Sequence, residues 1–381
     1  MIHISAFENN QHLHSVSLPP DSSLRLISKS AFYGCHNLSC FRSHRFQEKN
    51  HEIHTPILFP PSLFSIGRTA FNKTTISHFV FPRHSLCSQP FNIDQNNSSN
   101  FQTVALPASL RHIPPQAFED SNISTLLFSR SIHPFSLIVD EQCFAGTSNL
   151  LSVVLPISIK KVGSYAFARS EIRRVVLPPK AQHLGDALFY GCSKLDRIII
   201  PKTVLSIGMS CFYQSGITEC VFLPDSQINH IMDLAFFGCL HLHSIYLPSS
   251  LNMIGERCFA NSKLQNVTFA EQEVMYNAQG MDPVIFIGRR AFAGCRFLKK
   301  LELPASLTSL THQLHDSSIQ SLSFQKGSRI QHIPPSSFRG SSIREITLPA
   351  RFRDENICEN LSFLSITFDG EEHQNENESE S

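Results

Sequence analysis

Apolar and polar positions alternate over a few residues, stop at a proline, and start again about 23 residues later. Across 150–216 this happens three times. Each copy runs Leu/Ile-x-x-Val/Ile-x-Leu/Ile-Pro, then a short polar link, then Val/Leu/Ile-Gly-x-x-small-Phe. Phe167, Phe189 and Phe212 close the three copies and lie 22 and 23 residues apart. A fixed period of ~20–50 residues is the mark of a solenoid, in which one unit cannot bury its apolar face alone and must stack on its neighbours.

Each part of the unit predicts an element. The stretch 195–200 places Ile198 and Ile200 on one face of a short β-strand, because strand side chains change face at every step. Pro107, Pro156, Pro178, Pro201, Pro248, Pro304 and Pro349 end their strands, since proline has no N–H for the ladder. Gly67, Gly163, Gly185, Gly208, Gly255 and Gly288 then predict a turn that a side chain would crowd. The small-Phe pair sends one ring per coil inward, so the rings should stack in a column. The expected architecture is a curved parallel β-sheet on a concave face, with short helical or irregular turns opposite.

Counting by the landmark ring gives Phe7, Phe32, Phe71, Phe118, Phe144, Phe167, Phe189, Phe212, Phe236, Phe259, Phe292 and Phe338. The interval of 46 from Phe292 to Phe338 is two periods, with Leu314-His315 in the degenerate middle position. A weak coil is expected at Phe91 and a closing strand at 363–368, for about fourteen coils in one solenoid over 1–368. Longer steps place loop insertions near 39–54, 87–100, 129–141 and 270–283. Residues 369–381 contain no apolar side chain and six acids, and read as an acidic disordered tail.

Composition adds little beyond this. The formal net charge is +1, and setting the tail aside leaves 32 basic against 25 acidic residues. That mild bias, without clustered Lys/Arg, points away from nucleic acid as a partner. No apolar run approaches the ~18–20 residues of a membrane-spanning helix, so no transmembrane segment is expected in this chain. The first residues lack the basic flank and apolar stretch of a secretory signal, which favours synthesis in the cytosol. Eleven cysteines without a Cys-x-x-Cys recur in register instead. Cys35, Cys192, Cys239 and Cys295 follow a glycine, while Cys143, Cys211 and Cys258 fill the small slot before the ring. They are expected to be small buried hydrophobes rather than disulfides or zinc ligands.

The phrase L-x-x-I-x-I-P-x-S-[LV]-x-x-I-G-x-x-A-F-x-G-C is carried well by 287–295, by 298–307 and by 242–259. It resembles the BspA-type leucine-rich repeat, a family with a ~23-residue unit. The resemblance covers nearly the whole chain and implies a leucine-rich-repeat solenoid. It also implies a surface or secreted adhesion-type protein that binds other proteins. The missing export signal and anchor point the other way, toward an intracellular leucine-rich-repeat scaffold.

Outward strand positions form two candidate columns. One reads Val154, Val176, Ile199, Val221, Tyr246 and Thr268, then Glu302, Ser323 and Thr347. Its neighbour reads Arg174, Arg197, Glu219, Ser244, Asn266 and Lys300. Successive apolar residues beside a charged column make a protein-binding stripe, because contiguous exposed apolar patches mark interfaces. The bland alternative is that β-branched residues favour strands. His12 and His14, and His241 and His243, are placed two apart on strands, but no third ligand recurs to make a metal site. Sequons such as Asn97-Ser98-Ser99 and Asn266-Val267-Thr268 matter only on export. No Gly-x-Ser-x-Gly, His-Glu-x-x-His or phosphate-binding glycine loop stands apart from the repeat. The expectation is a non-enzymatic binding protein without a cofactor.

Overall fold

The computed structural model describes residues 1–19, 21–43, 57–67, 70–81, 85, 102–129, 136–271, 284–331, 333–353 and 365–369. These form a parallel-strand solenoid of about 13 turns with almost no helix. The weak coil at Phe91, the insertion at 87–100, most of those at 39–54 and 270–283, and the tail beyond Asp369 lie outside the described residues. Part of the 129–141 insertion is regular structure instead, since Leu137–Val139 is a strand. Cys40–Ser43, at the start of the 39–54 stretch, is a strand as well.

The alternation seen in the sequence becomes the longer-stranded face. Arg197–Ile200, Ser244–Leu247, Asn266–Phe269 and Lys300–Leu303 each alternate exposed and buried residues along their four positions. All pairings are parallel. Ile199 sits against Val221, Tyr246 against Thr268, and Glu302 against Ser323. Inward partners such as Ile198, Ile200, Leu247 and Leu303 are fully buried.

Opposite the longer strands the connections are mostly turns, with short 3-10 helices at Pro335–Phe338 and Ala350–Phe352. A second parallel ladder of two-residue strands runs there. Ser206–Ile207 pairs with His183–Leu184 on one side and His230–Ile231 on the other. Met253–Ile254 pairs with Phe286–Ile287. The glycine of the Ile-Gly step follows this ladder, where neighbouring coils touch backbone to backbone. A Cβ on Gly255 would lie 2.3 Å from the Asp233 nitrogen and 2.5 Å from the Met232 carbonyl carbon.

From Phe118 to Phe292, the ring of each coil sits between two residues in the left-handed region. Around Phe167 these are Tyr165 (φ 57°) and Arg169 (φ 55°), and around Phe212 they are Ser210 (φ 54°) and Gln214 (φ 50°). Such backbone is unfavourable for residues other than glycine and persists where the surroundings over-determine it. Here coil-to-coil hydrogen bonds do so. The N–H groups of Tyr165, Phe167 and Arg169 donate to the carbonyls of Asp186, Leu188 and Tyr190 at 3.0, 3.1 and 2.7 Å. The buried rings stack nearly parallel in an unbroken run from Phe118 through Phe144, Phe167, Phe189, Phe212, Phe236 and Phe259 to Phe292. Leu314, fully buried, stands in the next ring position.

From Phe118 to Phe338, the position two residues past the ring, or past Leu314 in its place, alternates between a side chain and a glycine. The column reads Asp120, Gly146, Arg169, Gly191, Gln214, Gly238, Asn261, Gly294, Asp316 and Gly340, all with positive φ. The reason is steric. The Asp120 carboxylate lies over Gly146, and a Cβ there would come within 1.9 Å of Asp120 Oδ1. Asn261 covers Gly294 in the same way, at 2.1 Å.

From Ser170 to Cys295 the next position alternates too, between serine and cysteine. Ser170, Ser215 and Ser262 face Cys192, Cys239 and Cys295 of the following coils. Those thiols donate to the carbonyls of Phe167, Phe212 and Phe259 at 3.0–3.1 Å. Burial pushes Cys192 and Cys295 up to about 11, and Cys143 and Cys239 up to about 12. All nine described cysteines are free thiols. A thiol held protonated is a poor nucleophile and a poor metal ligand, so the buried ones serve the core; Cys40 is only half-buried.

Candidate functional site

The long-strand face takes its shape from the inward residues and its chemistry from the outward ones. Val153, Val175, Ile198, Cys220 and Ile245 are buried. Val154, Val176, Ile199 and Tyr246 therefore stand out, at 64, 56, 45 and 58% exposure. Val221 is half-buried, and Thr268 is exposed. The column holds register: Val154 is paired with Val176, and Ile199 with Val221. The step between these pairs follows from Arg174 opposite Arg197. At the strand spacing of ~4.8 Å, these side chains form a continuous apolar line.

The neighbouring column also faces outward, with Arg174, Arg197, Glu219, Ser244 and Asn266 all exposed. Arg197 Nε lies 2.8 Å from a Glu219 carboxylate oxygen, with both side chains about half exposed. A pair this wet contributes little to stability, so it is free to serve recognition. Thr218 Oγ1 donates to Asp196 Oδ1 at 2.6 Å, tying the next column. The candidate columns are thus brought together as two adjacent lines on one face.

Sequence reasoning missed the start of the line. Leu127, 53% exposed, lies on Thr125–Phe128, in register with Ala105 and one strand before Val154. Its strand repeats the expected alternation, but the long step that follows it hid the continuity. Leu151, Ile157 and Leu223 are exposed beside the same line.

The histidine pairs fall elsewhere. His12, His14, His241 and His243 are exposed and precede their strands instead of lying on them. Among the described residues no group of three or more His, Cys, Asp or Glu is placed to hold a metal ion. On the short-strand face a cleft of about 520 Å³ includes Asp140, Lys161, His183 and Asp186. Two of its three acids are engaged within the stack, Asp140 with His112 at 2.5 Å and Asp186 with the Met209 N–H at 2.8 Å, while Glu141 also lines it. Among the described residues no helix is long and apolar enough to cross a membrane.

Solved structures similar to the chain include the following three. A leucine-rich repeat protein from Bacteroides ovatus is 18% identical, with 93% of this chain and 91% of that one covered and a TM-score of 0.41. The pneumococcal vaccine antigen PcpA is 19% identical over 95% of this chain and 90% of its own, with a TM-score of 0.45. A leucine rich cell surface protein from Faecalibacterium prausnitzii is 18% identical over 94% and 88%, with a TM-score of 0.35. No curated protein matches the chain. The model of the BspA type leucine rich repeat region matches residues 1–93, 64–194, 136–228, 160–279 and 275–376, in six copies. With its ring ladder, its parallel strands and this coverage, the chain belongs to the BspA-type leucine-rich repeat family.

Proposed function

We propose that this protein is a non-catalytic binding protein of the cell-surface adhesion or antigen type, which captures another protein on its long-strand face. The observation that carries the reading is the exposed apolar line from Leu127 to Tyr246 beside the Arg174–Arg197–Glu219 column. Isolated exposed apolar residues are ordinary, but a contiguous line rimmed by charge marks an interaction site. The fold does not require it, since inward residues alone fill the core.

The triple variant Ile199→Glu, Val221→Glu and Tyr246→Glu tests the reading. It should keep the wild-type circular dichroism spectrum and lose partner capture by about a hundredfold or more, since central apolar anchors dominate interface energies. Unchanged capture by a folded variant would sink the proposal.

A second reading, an intracellular scaffold using the same face, is favoured by the free buried thiols, because reduced cysteines persist in the cytosol. Antibody labelling of intact cells separates the two. The surface reading expects signal without permeabilisation, and the scaffold reading expects it only after permeabilisation.

A further inference from the structure

We infer that the segment captured on the long-strand face is an amphipathic α-helix lying along the solenoid axis, with acidic residues on both sides of its apolar ridge. The inference rests on the binding reading above and names the chemistry of the partner. Two observations carry it, the period of the apolar line and the charges that flank it.

The line offers one apolar side chain per coil from Leu127 through Val154, Val176, Ile199 and Val221 to Tyr246. Coils repeat every ~4.8 Å. A helix presents its apolar ridge every ~5.4 Å, so the mismatch over five steps is about 3 Å, within the reach of side chains. An extended strand shows the same face every ~6.8 Å and is out of step by about 10 Å over that length. A polyproline helix repeats its face every ~9.3 Å and would engage only every second member. A line occupied in every coil therefore matches a helix of about 16–18 residues.

The charges fix the flanks. On one side of the line Arg173 and Arg174 are exposed, and on the other Lys180 and Lys202 follow the strand-ending prolines, also exposed. No ion pair among the described residues engages any of these four. Of the nearby acids, Asp196 and Glu219 already hold Thr218 and Arg197, Glu171 lies two residues before Arg173, and Asp225 in the next coil ends the basic stretch. Val176 and Ile199 thus lie between two pairs of cations that make no ion pair and outnumber the acids beside them. An occupant with an apolar centre and acids on either side complements this arrangement, and one with basic flanks is repelled.

Fluorescence anisotropy with the full chain and a labelled peptide of about 18 residues tests the inference. The peptide carries Leu at every third and fourth position and Glu on both flanks of that ridge. Two comparison peptides replace the Glu residues by Lys, or place two prolines at the centre. The Glu peptide should bind the wild type and weaken about tenfold on Arg173→Glu/Arg174→Glu, with further loss at higher salt. The Lys peptide should bind the wild type at least about tenfold more weakly and regain affinity for that same variant. The proline peptide should not bind, because its helix is broken.

Equal binding of the Lys peptide overturns the acidic flanks. Equal binding of the proline peptide means an extended occupant and overturns the helix. Absence of Glu-peptide binding, with partner capture still sensitive to the triple Ile199→Glu, Val221→Glu and Tyr246→Glu variant, also overturns the helical occupant but leaves the long-strand face as the binding surface. Loss of both removes the underlying reading as well.

Discussion

Phe212→Ala is expected to destabilise the centre of the array by about 3–5 kcal/mol, the range for removing a buried phenylalanine. Phe212 is fully buried and stacks on Phe189 at 5.6 Å and Phe236 at 5.1 Å. Its loss forfeits two ring contacts, each worth about 0.5–1.5 kcal/mol beyond area burial. Collapse around the cavity is resisted, because the backbone on both sides is clamped: the Phe212 N–H donates to Ala235 O, and Phe189 N–H to Cys211 O. In a one-dimensional stack the effect stays near the lesion. Hydrogen exchange should show protection falling first in the coils around residues 189–236, while coils near Phe292 keep theirs. A uniform drop across the array, or a cost below about 1 kcal/mol, would contradict this account.

The second large effect is expected at a glycine. Gly255→Ala adds one methyl group where Asp233 N and Met232 C stand 2.3 and 2.5 Å away. Both are backbone atoms just past the His230–Ile231 strand, where Met232 N–H donates to Ile207 O and Gly255 N–H to Ile231 O, so the coils must separate to admit it. Overpacking of this kind costs about 1–3 kcal/mol, and the upper end is expected because no flexible side chain can yield. Gly327→Ala is the internal control. Its φ is 76° but no atom lies within 4 Å of the added carbon, so only the left-handed conformation is penalised, at about 1 kcal/mol. Urea midpoints should therefore fall further for Gly255→Ala than for Gly327→Ala, and the reverse order would remove the steric explanation.

These residues also show which parts of the fold were legible. Phe212 was visible because one residue type recurs at one spacing, and nothing but a repeat gives that pattern. Arg197–Ile200 was visible because four alternating residues suffice to show a period of two. Ser206–Ile207 was not, since two residues carry no period at all. The left-handed residues beside the rings were equally hidden. Tyr165, Ala187 and Leu234 have no preference for that conformation and adopt it because the neighbouring coil holds their N–H groups. The outward columns could be written down from the strand register alone. Leu127 escaped because an irregular step separates it from Val154. What occupies the columns depends on a second molecule, and only their spacing and charge speak to it.

The alternation two residues past each ring has a consequence for how such a chain can change length. Asp120 needs a bare backbone beside it, and Gly146 provides one. The same holds for Asn261 with Gly294 and for Asp316 with Gly340. Losing or copying a single coil would set two side chains face to face, or leave two glycines facing an unfilled gap. Losing or copying two keeps a side chain opposite a glycine at each join. An array of this kind is therefore expected to lengthen or shorten by pairs of coils, about 46 residues at a time, with a single-coil change destabilised at the join unless the facing residues change too.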